Sequence, residues 1–390
     1  VIPVAWDPRL SSHPCPQEPT DLLRHNLLFQ GDNLTCLQAL ADTHSGQVQC
    51  AYLDPPYNTG ATWEHYGDRE ASDTWQAFMA QRLEALRPLM CEDGLVFVQI
   101  DDCEHAYLQL VMDRVFGRHR RLCTIVVKMS ELSGVKMSHV DRKPPKLKEY
   151  LLVYGMSDNA VLRPVRVLKA RGKLERYLRY YTKVIENPTD PVAQWRVVPI
   201  RHAMAEEGLA DSAEARQTWQ LANRDRVVYR TNNRFLASLQ FEDAHAIRRV
   251  RSPTGIEYVW WDGRQMLFLA DHVEEVLGDL WTDISTINLG REGGVRFRNG
   301  KKPEALLRRV LQMSTRPGDL VLDPFGGAGT TAAVAHKMGR RWITIEAGRH
   351  ARTHIVPRLR AVAAGTDSGG VTTDLGWEGG GDFLGGVLEG

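Results

Sequence analysis

The sequence has almost no net charge: 49 Lys and Arg stand against 48 Asp and Glu, leaving a formal +1. The molecule as a whole is therefore no polycation, and any contact with nucleic acid has to come from a local patch. Paired cysteines are also missing. Cys15, Cys36, Cys50, Cys91, Cys103 and Cys123 form no C-x-x-C unit and no zinc-finger spacing, which predicts reduced thiols in an intracellular protein. No apolar run approaches membrane-spanning length. Val1–Ala5 is too short and lacks the basic start of a signal peptide. These absences predict a soluble cytoplasmic protein with no membrane partner. What remains, 390 residues of ordinary apolar and charged content, has room for two domains or for one α/β domain carrying an insert.

The most informative stretch is Leu53-Asp54-Pro55-Pro56-Tyr57-Asn58, which follows the uncharged strand-formers Val48–Leu53. Ligands of open α/β sheets bind just outside the carboxyl ends of the strands, which is where these residues fall. Asp54 and the carbonyl of Pro55 are both acceptors, and Pro56 brings no N–H to compete with them. Together they can grip both hydrogens of an exocyclic NH2 group, while Tyr57 stacks on the ring that carries it. The expected ligand is a nucleobase. The same tetrad also reads as a plain strand end with Tyr57 on the rim, and a second constellation is needed to separate the two.

Residues 1–20 read as an irregular arm. Its Pro14-Cys15 is similar to the Pro-Cys nucleophile of enzymes that methylate cytosine at carbon, but it lies between prolines with no strand before it and reads as loop. Residues 26–30 predict a strand, Gly31-Asp32-Asn33 its turn, and Leu34, Leu37 and Leu40 a helix. Asp32 reads either as a helix cap or as an acceptor for a ligand amine. A helix from Ser72 or Asp73 buries Trp75, Phe78, Met79, Leu83, Leu86 and Met90 as core. Leu95–Ile100 is a buried strand ending at Asp101-Asp102, a pair better explained by capping and strand-end placement than by a metal. A further helix carrying Leu108, Val111, Met112 and Val115 stops at Gly117. From there the chain turns basic, with Arg118, Arg120, Arg121, Lys128, Lys136, Arg142, Lys143, Lys146 and Lys148. After a strand at 151–154 the run continues from Arg163 to Arg179, interleaved with Tyr177, Tyr180 and Tyr181. That pattern predicts a phosphate-tracking surface. Residues 155–280 lose the strand–helix alternation and read as an inserted module, with a β-rich piece from Ile256 to Leu269.

The second constellation is the strand Asp319–Asp323, the turn Pro324-Phe325-Gly326-Gly327-Ala328-Gly329-Thr330-Thr331, a helix ended by Gly339, and a strand closing on Glu346. The glycines let backbone approach a ligand, and a carboxylate about twenty residues on suits a ribose hydroxyl. An ATPase phosphate loop needs a Lys before Ser or Thr, which Gly329-Thr330-Thr331 lacks. S-adenosylmethionine, an adenosine without phosphates, fits better. Glu346 would take its ribose, Asp32 its adenine amine, and the glycine turn its methionine part.

Five stretches, Gly31–Leu34, Asp54–Gly60, Val98–Asp102, Lys302-Pro303 and Leu322–Thr331, together resemble the amino-methyltransferases of DNA. The order, tetrad first and glycine turn last, resembles the permuted β class, and the detail resembles the modification subunits of type III restriction systems. That resemblance implies a Rossmann-like α/β methyltransferase fold interrupted by a target-recognition domain. The divisions are an arm to residue 20, a catalytic part over 21–154, the insert over 155–280, a cofactor part over 281–362 and a glycine-rich tail over 363–390. It implies site-specific methylation of adenine N6 in double-stranded DNA, with the base flipped from the helix. Asp54, Pro55, Pro56 and Tyr57 would be catalytic. Asp32, Lys302, Asp323, Phe325, Gly326, Gly327, Gly329, Thr330 and Glu346 would hold the cofactor. Asn58, Arg118, Arg120, Arg121, Lys136, Lys143 and Lys146 would contact the DNA, with no metal: His350 and His354 are four apart but lack a third ligand. Cytosine N4 is the nearest rival target, RNA a further one, and a non-catalytic DNA-binding subunit the rival from another class. A homodimer and a restriction subunit stand as candidate partners, although the insert is shorter than is usual in type III subunits.

Overall fold

The computed structural model describes residues 4–12, 22–60, 70–130, 144–169, 171–243, 245–287, 289–297 and 300–388. The chain divides into two compact units, Val1–Val165 with Gly278–Gly390, and Arg166–Leu277. In chain order the larger unit supplies β1 (Val4–Trp6), β2 (Leu27–Gln30), β3 (Val48–Leu53), β4 (Met90–Ile100), β5 (Arg121–Lys128) and β6 (Lys148–Gly155). The smaller one holds β7 (Arg166–Leu168), β8 (Lys183–Ile185), β9 (Val197–Pro199), β10 (Val227–Thr231), β11 (Arg248–Arg251), β12 (Glu257–Trp261), β13 (Arg264–Phe268) and β14 (Glu274–Val276). The larger unit resumes with β15 (Leu280–Trp281), β16 (Leu320–Asp323), β17 (Arg341–Glu346) and β18 (Leu384–Leu388).

The larger unit is an α/β fold on one ten-stranded sheet, in the order β1-β18-β2-β17-β16-β3-β4-β6-β5-β15. From β18 through β4 neighbouring strands are parallel, while β6 runs antiparallel to both β4 and β5. The central strands are buried along nearly their whole length, as in β3 and β16. That is why they read as continuous apolar runs rather than alternating ones. Helix Ser72–Leu86 buries Trp75, Met79, Leu83 and Leu86 in one core with Leu53, Val96, Val98 and Ile100. The chain leaves β3 toward β4 on one side and leaves β16 toward β17 on the other. The boundary between β3 and β16 is thus the switch point where a crevice opens at the strands' carboxyl ends.

Three boundaries differ from the sequence reading. Residues 156–165 stay with the larger unit, since Met156 N–H donates to Gly94 and Arg163 reaches the carbonyls of Met313 and Thr315. The glycine-rich end is no free tail: Leu384–Leu388 is a sheet strand between β1 and β2. Gly385 and Gly386 are needed there, because a Cβ would come within 2.4 Å of Leu10 and 2.0 Å of Val4 respectively. The arm in turn contributes β1, paired antiparallel to that strand.

The smaller unit carries a six-stranded antiparallel sheet ordered β11-β12-β13-β10-β8-β9 and a two-stranded ribbon of β7 and β14. Its strands are only three to five residues long, which explains why only the piece near 256–269 stood out in the sequence. Helices Arg171–Leu178, Ile200–Glu206 and Ala213–Ala222 cover one face, packing Leu178, Met204 and Trp219 against Val184 and Val227. Among the described residues no helix is long and apolar enough to cross a membrane.

Candidate active site

The parallel strands bring the motifs to one edge of the larger sheet. Asp32 follows β2, Asp54 follows β3, Asp101 follows β4, Pro324 follows β16 and Glu346 closes β17. Strand β6 runs the other way, so its amino end delivers Glu149 to the same edge. These residues line a cavity of about 540 Å3, a size typical of small-molecule sites.

One half of the cavity is built around Asp54. Lys302 Nζ lies 3.0 Å from Asp54 Oδ1 and 3.5 Å from Glu149 Oε2, and 4.8 Å above the centre of the Tyr57 ring. The Tyr57 hydroxyl is 2.8 Å from Asp54 Oδ1 and 2.8 Å from Glu149 Oε2. Behind Glu149 a buried chain crosses three strands. Gln99 Nε2 donates to Glu149 at 2.5 Å, and Tyr52 Oη donates to Gln99 at 2.5 Å. Burial raises the Asp54 carboxyl above the usual range against the pull of Lys302, and Glu149 raises it further. For Glu149 itself burial is outweighed by Lys302, Gln99 and Tyr57, and its pKa is held low. Burial beside these carboxylates raises the Tyr57 phenol well above its ordinary value, so the hydroxyl is a donor. The turn is anchored by Trp75 Nε1, which donates to the Pro56 carbonyl at 2.7 Å.

The other half is shaped by the glycine turn. Phe325 and Gly327 line the cavity beside Ile345, Glu346, Ala347 and Gly348. Gly326, Gly329 and Thr330 stand behind and shape the loop. A Cβ on Gly326 would meet Thr344 Oγ1 at 2.7 Å, and Gly329 has φ +73° with Ile355 at 3.0 Å. Thr330 Oγ1 accepts from the buried Arg358 at 2.8 Å. Asp323 is buried and accepts from Phe325 N–H at 2.9 Å, so it shapes the turn too, and burial pushes its pKa to about 7. Glu346 accepts from Gly327 N–H at 2.7 Å and Gly348 N–H at 2.8 Å, with His350 Nε2 at 2.9 Å. Asp32 caps helix Asn33–His44 by accepting from Thr35 N–H, and its second oxygen pairs with Arg82 at 3.0 Å. It lines the cavity nonetheless.

The remaining expectations divide. Lys302 lies in the cavity, but against Asp54 and Glu149. Lys146 also lines the cavity, ion-paired with the buried Asp101. Asn58 has φ +56°, and its side chain holds Glu70 backbone and the Glu104 carboxylate, so it secures the turn after the tetrad. Arg118, Arg120 and Arg121 precede or open β5, which runs parallel to β4 because both are antiparallel to β6. They therefore lie at the amino edge of the sheet, opposite the cavity, and Arg120 pairs with Asp158. Lys136 and Lys143 lie outside the described residues. The later basic run is partly consumed internally: Lys169 binds the carbonyls of His272 and Glu274, and Lys173 pairs with Glu275. Sequence reasoning missed Glu149, Gln99, Asn33 and Arg82. Glu149 carried one signal, an acid at the start of an apolar strand.

The smaller unit has its own charged surface. Cross-strand partners share a face, and the registers place Lys183, Arg230, Arg249, Arg251 and Arg264 on the face away from the helices, with one acid, Glu257. Arg249 lies 4.7 Å over Trp195 and Arg264 5.9 Å over Trp261.

The chain matches known proteins over most of its length. It is 33% identical over 412 aligned residues to the probable type III restriction-modification enzyme HindVI Mod subunit of Haemophilus influenzae, covering 92% of this chain and 53% of that one. It is 27% identical to the StyLTI Mod subunit of Salmonella typhimurium, over 79% of this chain and 49% of that one. The chain thus spans about half the length of these curated relatives. It is 26% identical to the type II methyltransferase M.KpnI of Klebsiella pneumoniae, over 79% of this chain and 76% of that one. A solved structure, the PvuII DNA methyltransferase (cytosine-N4-specific), superposes at a TM-score of 0.47 with 11% identity, over 85% of this chain and 86% of that one; that likeness is too loose to bear on mechanism. The sequence profile of the DNA methylase family N6_N4_Mtase matches residues 48–356, and the chain belongs to that family.

Proposed function

We propose that this protein methylates an exocyclic amine of a nucleobase in double-stranded DNA, at adenine N6, with S-adenosylmethionine as methyl donor. The observation that carries the reading is one cavity that joins a partly buried acceptor tetrad to a glycine-shaped turn, without a nucleophilic cysteine among its lining residues. The cavity fits the donor. Gly327 brings bare backbone to its wall, Phe325 and Ile345 give an apolar face, and Glu346 offers a carboxylate already oriented by two N–H groups. S-adenosylmethionine would supply an electrophilic methyl group at this place. Phe325, Gly327 and Glu346 would hold it, with Asp32 at the far end.

The chain's own residues supply position and charge. Asp54 and the Pro55 carbonyl accept from the NH2 group and draw the nitrogen lone pair out of conjugation with the ring. The two prolines and the Trp75 bond keep these acceptors from relaxing, and positioning of this kind supplies most of the rate. Tyr57 has its hydroxyl tied down, which presents its ring as a stacking surface worth on the order of 1–3 kcal/mol against the cost of extruding the base. The smaller unit serves as the target-recognition module, and its face of five cations and one acid suits phosphate tracking. Duplex DNA is the partner this implies.

Adenine is preferred over cytosine because an Asp rather than a Ser opens the tetrad. The test is incubation with S-adenosylmethionine and mixed-sequence duplex DNA, followed by mass spectrometry of the nucleosides. N6-methyladenine is the expected product. N4-methylcytosine would keep the site and overturn the base, and no methylated nucleoside with the donor bound would overturn the reading.

A further inference from the structure

The cavity contains one more carboxylate than gripping a neutral amine requires. Asp54 alone, paired with Lys302, would form a neutral couple with little pull on a nitrogen that is becoming positive. Glu149 changes the count: with both carboxyls ionised and Lys146 paired to Asp101, two carboxylates and one ammonium leave a residual charge of −1 beside the tetrad. That residue is costly to keep, since a buried carboxylate is unfavourable unless paired and hydrogen-bonded. The fold meets the requirement with donors from three neighbouring elements. Gln99 Nε2 at 2.5 Å, the Tyr57 hydroxyl at 2.8 Å and Lys302 Nζ at 3.5 Å all converge on the same Glu149 oxygen. Tyr52 fixes Gln99 in turn. A donor set this complete around one partly buried carboxylate oxygen goes beyond what holding β6 in register demands, because the backbone ladder to β4 and β5 already does that.

We propose that Glu149 is a positioning residue for Asp54: acting through the Tyr57 hydroxyl and Lys302, it leaves the tetrad one negative charge in excess until the target nitrogen becomes cationic. Lys302 is the other arm of the same device, holding the two carboxylates together and opposing the neutralisation of Asp54 that burial favours. Stabilising charge where it develops, with groups that need no reorganisation, is the most effective electrostatic arrangement available to a buried site. The purpose of the device rests on the amine-methylation reading above; its test does not.

The two arms act on Asp54 with opposite sign. Glu149 raises its pKa and Lys302 lowers it. Glu149→Gln therefore moves Asp54 ionisation to lower pH and Lys302→Met moves it to higher pH. Carbon-13 NMR titration of labelled aspartate in the protein alone, assigned by loss of the Asp54 signal in Asp54→Asn, reads both shifts without donor or DNA. In turnover the acidic limb of the kcat profile should move in the same two directions. Glu149→Gln should lower plateau kcat roughly 10²-fold with donor affinity unchanged, and Glu149→Asp should recover part of it. Shifts of the same sign, no shift, or a Glu149→Gln loss confined to donor affinity would overturn the proposal. Should Glu149→Gln fail to fold, Glu149→Asp tests the same link. Drawing the carboxylate back from Tyr57 and Lys302 weakens its push on Asp54, so Asp54 must titrate at lower pH than in the parent protein. An unmoved titration would overturn the proposal. Opposed shifts in a protein that methylates no DNA would uphold the charge pairing and sink the methylation reading instead.

Discussion

The cavity of the larger unit and the cationic sheet face of the smaller one handle charge in opposite ways. In the cavity, Asp54, Glu149 and Lys302 lie within 3.5 Å of an opposite partner and are largely withdrawn from water. On the sheet face, Arg230, Arg249, Arg251 and Arg264 are exposed, and two of them lie over tryptophan rings. The first arrangement fixes atoms, as a reaction at one nitrogen requires. The second keeps its cations at the surface, with Arg249 held only loosely to Glu257 at 3.4 Å, as the proposed contact with a phosphate backbone of regular charge spacing would need. Substitutions in the cavity should therefore be severe and independent of salt, whereas those on the face should be graded and salt-dependent.

The largest effect belongs to Asp54. Asp54→Ala should lower kcat at least roughly 10²- to 10³-fold, while donor binding, measured by calorimetry, stays within about twofold. A comparable loss in donor affinity would mean that the two halves of the cavity are not separable. Next in size is Gly329→Val. A side chain at φ +73°, 3.0 Å from Ile355, costs on the order of 1–3 kcal/mol of backbone strain and displaces the turn that carries Gly327. Donor affinity should fall about tenfold or more, with kcat at saturation much less changed.

On the other side of the comparison, the double variant Arg230→Gln with Arg264→Gln should weaken duplex binding by roughly tenfold at moderate salt. The slope of log K against log salt should fall by about two, one for each phosphate that is no longer neutralised. Donor binding should not change. A salt slope equal to that of the parent protein would remove this face from the DNA-binding surface.

How much of this was legible in the sequence follows from the same contrast. Asp54, Phe325, Gly327 and Glu346 could be read because a strand's carboxyl end is a marked position, bounded by proline or glycine. Glu149 enters from a strand's amino end, and only the antiparallel pairing of β6 with β4 reveals which edge it reaches. Lys302 was placed with the cofactor through the resemblance, and nothing in the sequence ties it to Asp54, about 250 residues away. Arg118, Arg120 and Arg121 looked like part of one basic patch, yet β5 carries them to the far edge. The glycines of the carboxyl-terminal segment read as slack chain, although they are there so that β18 can approach Leu10 and Val4 closely. The cationic face was invisible because its members come from four short strands and meet only through register. Local chemistry was legible; whatever depended on strand direction was not.

The smallest effect distinguishes shape from chemistry within the cavity itself. Asp323 lies at the buried end of β16 and accepts from Phe325 N–H, and burial pushes its pKa to about 7. A carboxyl whose folded value lies above its unfolded value contributes stability below the unfolded pKa, near 4, and loses it as pH rises through about 7. Asp323→Asn keeps a carbonyl acceptor for Phe325 but removes that titration. Its melting temperature relative to the parent protein should therefore climb by a few degrees between pH 4 and pH 7.5 and level off above. Donor affinity should change little over the same range, because Asp323 shapes the turn without lining the cavity. A constant offset in melting temperature at all pH values would mean that the carboxylate is already ionised at pH 4. The turn would then be held by charge rather than by shape, which is the manner of Glu149.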